Sequence, residues 1–158
     1  MTGTTVSEVD FDHLSWHDNL IYGLRLEVGD PERQEWHSRL VLDIDHIVTW
    51  VCGRDGGARF EVAPATLTFH DATDLSLTLD FGDSGCRQAL NELSIDALTR
   101  TPVAGERVSL DRPYYRWRIE LNLPRGGLIR FGASGFTQEL RAAPTLCDLQ
   151  RLPAGERA

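Results

Sequence analysis

Alternation of apolar and polar residues decides the fold, and it is clearest in residues 20–28, LIYGLRLEV. Every second residue from Leu20 to Val28 is apolar or aromatic, while Arg25 and Glu27 occupy alternate positions. Successive side chains on a β-strand point to opposite faces, so a period of two is typical of a strand with one apolar face. The segment therefore predicts a β-strand with its leucines on one side.

The same period recurs along most of the chain. Residues 40–50 read as one long strand or as two strands joined by a bulge, and a Pro-Arg-Gly-Gly turn follows the alternating residues 115–121. Residues 87–99 are ambiguous and suit a short helical turn followed by a strand. We predict a mainly β fold, an antiparallel β-sandwich or open barrel of about eight or nine short strands with at most one short helix. The further predicted strands are residues 75–81, 128–131 and 136–141.

The length of 158 residues is typical of a single domain, which we place at residues 1–158. Residues 1–10 and 143–158 lack the strand period, so we expect them to be flexible tails. The chain has no apolar run near the roughly 20 residues of a membrane span, and its start lacks the basic and apolar regions of a signal peptide. We therefore expect a cytoplasmic protein that does not bind a membrane.

The charge excludes several classes of function. The net charge is −8, and all 16 basic residues are arginine. An acidic protein repels the phosphate backbone, so we expect no nucleic-acid partner. Without lysine the chain has neither a Walker-type phosphate loop nor a Schiff-base or Ser-Lys nucleophile. Its three cysteines are too far apart for a CxxC metal site.

A histidine-aspartate doublet occurs twice in similar surroundings. His17-Asp18 follows a tryptophan and His70-Asp71 follows a phenylalanine, and each doublet precedes a predicted strand. Imidazole and carboxylate groups bind divalent metals such as zinc, so these four residues form a candidate metal site. The chain would then be a metal-binding domain or a metal-dependent hydrolase. Neighbours on a strand point to opposite faces, however, which favours a structural role in which each Asp accepts backbone hydrogen bonds.

A second interpretation places function on the acidic surface. Asp43 and Asp45 share a strand face and Glu27 belongs to the preceding strand, so together they predict an acidic face that attracts a basic protein. Arg116 and Arg118 alternate with aromatic residues and form a candidate exposed contact strip, since arginine is frequent in binding hot spots. This interpretation needs no cofactor and no catalysed reaction.

The motif Phe11-Asp12-x4-His17-Asp18 and the segment Phe69-His70-Asp71-x3-Leu75 resemble segments of small uncharacterised bacterial proteins. Some of those proteins are similar to immunity proteins of polymorphic toxin systems. The resemblance covers residues 11–28 and 65–81. It implies an acidic, cytoplasmic, non-enzymatic, β-rich domain that binds and blocks a basic toxin. A homodimer formed through an exposed edge strand remains an alternative.

Overall fold

The computed structural model describes residues 5–82, 90–104 and 112–157. In these residues the chain forms ten strands in one open antiparallel sheet, with three short 3₁₀ helices and no α-helix. The predicted mainly β, antiparallel fold is confirmed. No helix within the described ranges is long and apolar enough to cross a membrane.

The strands follow the order β1-β9-β4-β3-β2-β6-β7-β8-β5 across the sheet, and β10 pairs with β4 beside this path. The 3₁₀ helices are Glu8–His13, Pro31–Arg33 and Ala154–Glu156. The strands are β1 (Thr5–Ser7), β2 (Leu20–Val28), β3 (Ser38–Cys52), β4 (Ala58–His70), β5 (Thr73–Thr78), β6 (Leu93–Pro102), β7 (Tyr115–Leu123), β8 (Leu128–Ala133), β9 (Gly135–Leu140) and β10 (Thr145–Cys147).

The sheet bends so that two of its parts enclose the core. Strands β8 and β9 are separated only by Ser134, yet β8 pairs with β7 and β5 whereas β9 pairs with β4 and β1. The ring of Phe69 on β4 lies 5.0 Å from that of Trp117 on β7 and 4.6 Å from that of Phe131 on β8, measured between centroids. These buried aromatic contacts hold β4 against β7 and β8.

A bulge in β2 changes which of its residues face the core. The predicted strand is present, but a register shift between Ile21 and Gly23 leaves Tyr22 outside the ladder with β3. Ile21 is buried, and Leu24 and Leu26 lie on its face because they oppose buried leucines of β3. The single apolar face predicted for residues 20–28 is therefore wrong, since the extra residue of a bulge reverses the alternation.

Strand β3 agrees closely with its prediction. Leu40, Leu42 and Ile44 are fully buried on the core face, and Asp43 and Asp45 lie on the opposite, outer face. It is one long strand with a register shift near its middle. The predicted strand after residue 87 is β6, while residues 87–89 of the predicted helical turn lie outside the described ranges.

The described parts of the two predicted tails pack onto the sheet instead. Residues 5–7 form β1 and pair with β9, and residues 145–147 form β10 and pair with β4. Leu152 is buried against Ile47, Phe60 and Val62, which form a second apolar cluster on the outer face of β3 and β4. This cluster gives the C-terminal segment, residues 145–157, an apolar surface to cover, which explains why it is not a free tail.

Candidate functional site

The first doublet joins the start of β2 to three other parts of the chain. The carboxylate of Asp18 accepts hydrogen bonds from the side-chain amides of Asn122 (3.1 Å) and Gln150 (3.0 Å). His17 donates from Nδ1 to the backbone carbonyl of Asp96 at 2.8 Å. This hydrogen bond raises the pKa of His17 above its usual value, and the Asp18 carboxylate contributes in the same direction. The doublet thus fixes β2 against β6, β7 and the C-terminal segment.

The second doublet has a similar role at the end of β4. The carboxylate of Asp71 accepts a hydrogen bond from the Ser134 hydroxyl (2.5 Å) and pairs with Arg112 (2.9 Å). His70 Nε2 lies 3.0 Å from the hydroxyl oxygen of Thr137 on β9. Burial lowers the pKa of His70, and the charge of nearby arginines lowers it further. The doublet therefore holds the end of β4 against the junction of β8 and β9.

Both aspartates adopt the same unusual backbone conformation. The φ angle is +62° at Asp18 and +54° at Asp71, in the left-handed region that aspartate tolerates better than most residues. Their carboxylates accept hydrogen bonds from distant side chains rather than from the local backbone amides that the sequence predicted. The common feature of the doublets is thus a sharp change of chain direction held by a carboxylate.

The structure does not bring the two doublets together. Asp45 is opposite both Leu20, next to the first doublet, and Pro64 on β4. Pro64 lies six residues from His70 along β4, which separates the doublets by about 20 Å along the strands. Within residues 5–82, 90–104 and 112–157, no three His, Cys, Asp or Glu side chains form a group that could hold a metal ion.

The acidic residues of β3 are used inside the fold. Asp45 is fully buried and accepts hydrogen bonds from the backbone N–H of Leu152 (3.2 Å) and from Nη2 of Arg157 (2.7 Å). Asp43 accepts hydrogen bonds from Arg25 at 2.6 Å and from the Thr66 hydroxyl at 3.1 Å. Asp45 is therefore not accessible to a partner, which corrects its predicted place in the acidic face.

Glu27 and the two predicted arginines remain at the surface. Glu27 is partly exposed on the outer face, with Arg25 and Arg39 within 3.4 and 3.7 Å of its carboxylate. Arg116 and Arg118 are exposed on the outer face of β7, with the buried Trp117 between them. These charges lie on different parts of the sheet. The residues predicted for binding thus do not form one patch.

Asn19 and His46 form a buried polar pair. His46 is the residue that follows Asp45 on β3. The side-chain amide of Asn19 donates to Nδ1 of His46 at 2.8 Å, and its oxygen accepts the backbone N–H of Ile47 at 3.1 Å. Asn19 is fully buried and His46 almost so. Burial lowers the pKa of His46 to about 4, so this imidazole is neutral near pH 7. The pair ties the start of β2 to the middle of β3.

The turn between β2 and β3 carries an exposed tryptophan in acidic surroundings. Trp36 is 79% exposed, and residues 29–38 contain three carboxylates against one arginine. Asp30 caps the short 3₁₀ helix by accepting the backbone N–H of Glu32 at 3.0 Å. A cavity of 320 Å³ opens beside the tryptophan. We name it the Trp36 pocket, and its walls include Val28, Pro31, Glu35, Trp36, Ser38 and Asp71.

The second exposed apolar surface is the β2 edge, residues 23–28. Leu26 is 56% exposed and Val28 74% exposed, although both lie on the core-side face of the sheet. Strand β6 pairs with β2 only at Leu20 and Ile21, and no other described strand pairs with the β2 edge on the side away from β3. Sequence alternation identified these residues as a strand face but gave no sign that no other described strand pairs with their free side.

No protein-family model matches this chain, and comparisons with curated proteins and with solved structures give no match.

Proposed function

We propose that this protein is a non-catalytic protein-binding domain that holds a basic partner, as an immunity protein holds its toxin. The contact centre is the Trp36 pocket. The observation that carries this proposal is the exposure of Trp36 beside carboxylates that belong to the same turn. Both His–Asp doublets stabilise the fold, and the partner binds at the β2–β3 turn.

Tryptophan is one of the three residue types that are enriched in binding hot spots. The large side chain of Trp36 is 79% exposed, so a partner that covered it would gain the free energy of burying its apolar surface. Val28 and Pro31 add apolar walls to the pocket. These features support an anchor site for a partner side chain.

The charge around the pocket favours a basic side chain. Glu35 lines the pocket, and Asp30 and Glu32 lie on the same turn. A guanidinium or ammonium group placed over the indole would gain a cation–π contact and a carboxylate partner together. The net charge of −8 adds long-range attraction for a basic protein. The acidic contact surface is therefore assigned to the turn rather than to Asp43 and Asp45.

The proposal is tested by affinity purification of the protein with its bound partner from source cells, followed by calorimetry on the two purified proteins. We expect a basic partner whose affinity falls as the salt concentration rises, because charge attraction is screened. Trp36→Ala is expected to weaken binding by about 30-fold, the effect of losing a hot-spot side chain of roughly 2 kcal/mol.

Trp50→Ala is the matched control, since Trp50 is 54% exposed and lies near the end of β3, opposite Phe60 of β4. It is expected to leave partner affinity unchanged. An acidic partner, or equal losses for the two tryptophan variants, would contradict the assignment of the Trp36 pocket.

A further inference from the structure

We propose that the β2 edge pairs with the β2 edge of a second copy of this chain, in an antiparallel register centred on Leu26. The β2 edge shares Val28 with the Trp36 pocket. The pairing does not depend on what the pocket binds and would hold whether or not that pocket binds a basic protein. It rests on three features of residues 23–28, namely the direction of their backbone groups, their self-complementary sequence and their regular geometry.

The hydrogen-bonding phase of β2 shows which backbone groups point outward. Gly29 donates its N–H to the carbonyl of His37 at 2.9 Å, which makes this a hydrogen-bonded pair of the β2–β3 ladder. In an antiparallel ladder such pairs alternate with pairs that point away from the partner strand. With Val28 opposite Ser38, the outward set is Leu24, Leu26 and Val28. Their N–H and C=O groups face the side on which no described strand pairs.

The sequence of the β2 edge complements itself in this register. A two-fold axis at Leu26 places Leu26 opposite its own copy and Leu24 opposite Val28 of the second copy. Arg25 then lies opposite Glu27 of the second copy, and the reverse holds across the axis. Opposite charges and apolar pairs directly across a ladder both stabilise it. The outward backbone groups of the three apolar residues meet as hydrogen-bonded pairs in the same arrangement.

Several other edges in the described ranges carry features that discourage pairing. Strands β1 and β10 have three residues each, and β5 contains a register shift with Asp74 at a φ of +52°. Residues 46–52 of β3 pair with β4 but not with β2, and this part of β3 has a register shift between Ile47 and Thr49. Short length and bulges are the devices by which proteins protect their edges. The β2 edge keeps one register over all six residues and has no proline or lysine.

The first experiment is sedimentation velocity over a range of concentrations, with wild type, Leu26→Pro and Leu149→Asp. We expect a wild-type dimer of twice 17.7 kDa. Proline removes an outward N–H without breaking the β3 ladder, so Leu26→Pro is expected to fold but to raise the dimer dissociation constant at least about tenfold. Leu149 is 61% exposed on the C-terminal segment, and its aspartate variant is expected to dimerise normally.

A melting curve shows whether Leu26→Pro is folded, and Leu26→Asp replaces it if it is not. Aspartate keeps the backbone N–H and instead places two like charges opposite each other at the axis. A wild-type protein that stays monomeric throughout, or a folded Leu26 variant that dimerises normally, would overturn the proposal.

The register is tested by single-cysteine crosslinking in a background where Cys52, Cys86 and Cys147 are serine. Leu26→Cys is expected to form a disulfide between copies, because paired Cα atoms about 5.5 Å apart lie within disulfide range. Leu24→Cys is expected to crosslink only in combination with Val28→Cys. Efficient crosslinking of Leu24→Cys alone would overturn the register centred on Leu26.

Discussion

The two His–Asp doublets and the region from Leu24 to Trp36 differ in how their chemical groups are used. In the sequence each doublet has the residue types of a metal site, yet its imidazole and carboxylate groups contact other parts of the same chain. Leu24 to Trp36 reads as an ordinary strand and turn, yet it leaves leucine, valine and tryptophan side chains exposed. In this fold the reactive residue types of the doublets are used internally, whereas the exposed apolar side chains of the β2 edge and Trp36 are the features on which both proposals rest.

The largest expected effect is on the buried ion pair that ends the C-terminal segment. Arg157→Met leaves the fully buried Asp45 without its charged partner, which should lower the free energy of unfolding by about 3–5 kcal/mol. Urea denaturation measures this. Arg151→Met is the control, because Arg151 is exposed and lies 3.6 Å from Glu92, so a change below about 1 kcal/mol is expected. Equal losses of unfolding free energy in the two variants would show that the ion pair between Arg157 and Asp45 does not stabilise the fold.

The next largest effect is expected at the second doublet. Asp71→Ala removes the acceptor for Ser134 and Arg112 and should cost about 2–3 kcal/mol of stability. Asp74→Ala is the matched control because Asp74 also has a positive φ, and its side chain accepts a hydrogen bond from the hydroxyl of the neighbouring Thr73. Its expected cost is about 1 kcal/mol, the strain of alanine in this conformation. A smaller loss for Asp71→Ala than for Asp74→Ala would show that the doublet does not tie the fold.

A third prediction concerns pH. The pKa of His46 is about 4 in the folded protein against 6.5 for an unperturbed histidine, so between these values only the unfolded chain takes up the proton. Stability is therefore complete above pH 6.5 and is lost as the pH falls towards 4, by about 2 kcal/mol at pH 5. Urea titrations at pH 7 and 5 should show a steeper loss for wild type than for His46→Gln. Identical pH dependence would mean that His46 is not held neutral by burial.

The smallest expected effect is that of metal removal. Because the doublets hold the fold through internal hydrogen bonds and are about 20 Å apart along the strands, a chelator should leave the melting temperature unchanged. The measurement is thermal melting with and without chelator, joined to elemental analysis of protein purified without a metal-affinity tag. Stoichiometric zinc together with a lower melting temperature after chelation would return the doublets to the metal hypothesis.

The fold class could be predicted from the sequence because alternation reports directly on which residues share a strand face. Leu40, Leu42 and Ile44 are buried as this period requires, and β2 has the predicted bounds. The bulge at Tyr22 was missed, although Gly23 inside the strand pattern is the kind of residue that often marks one. Alternation also does not reveal whether a second layer covers a face, which is why the exposed β2 edge was not recognised.

The C-terminal segment and the site show a different limit. Leu152 belongs to a segment without a strand period, and Arg157 pairs with an aspartate 112 positions earlier, so no local pattern predicts that they pack on the sheet. The same pairing removes Asp45 from the predicted acidic face. Trp36 was missed because it belongs to a turn without a period. A tryptophan among carboxylates outside any strand pattern is the signal that could have identified it.

Amide hydrogen exchange, measured by NMR at low and high protein concentration, distinguishes a β2 edge that pairs with a second copy from one that does not. The amides of Arg25 and Glu27 bond to β3 and should be protected at both concentrations. Those of Leu24, Leu26 and Val28 should exchange freely when dilute and become protected when concentrated. If the exchange of these three amides does not change with concentration, the β2 edges of two copies do not pair.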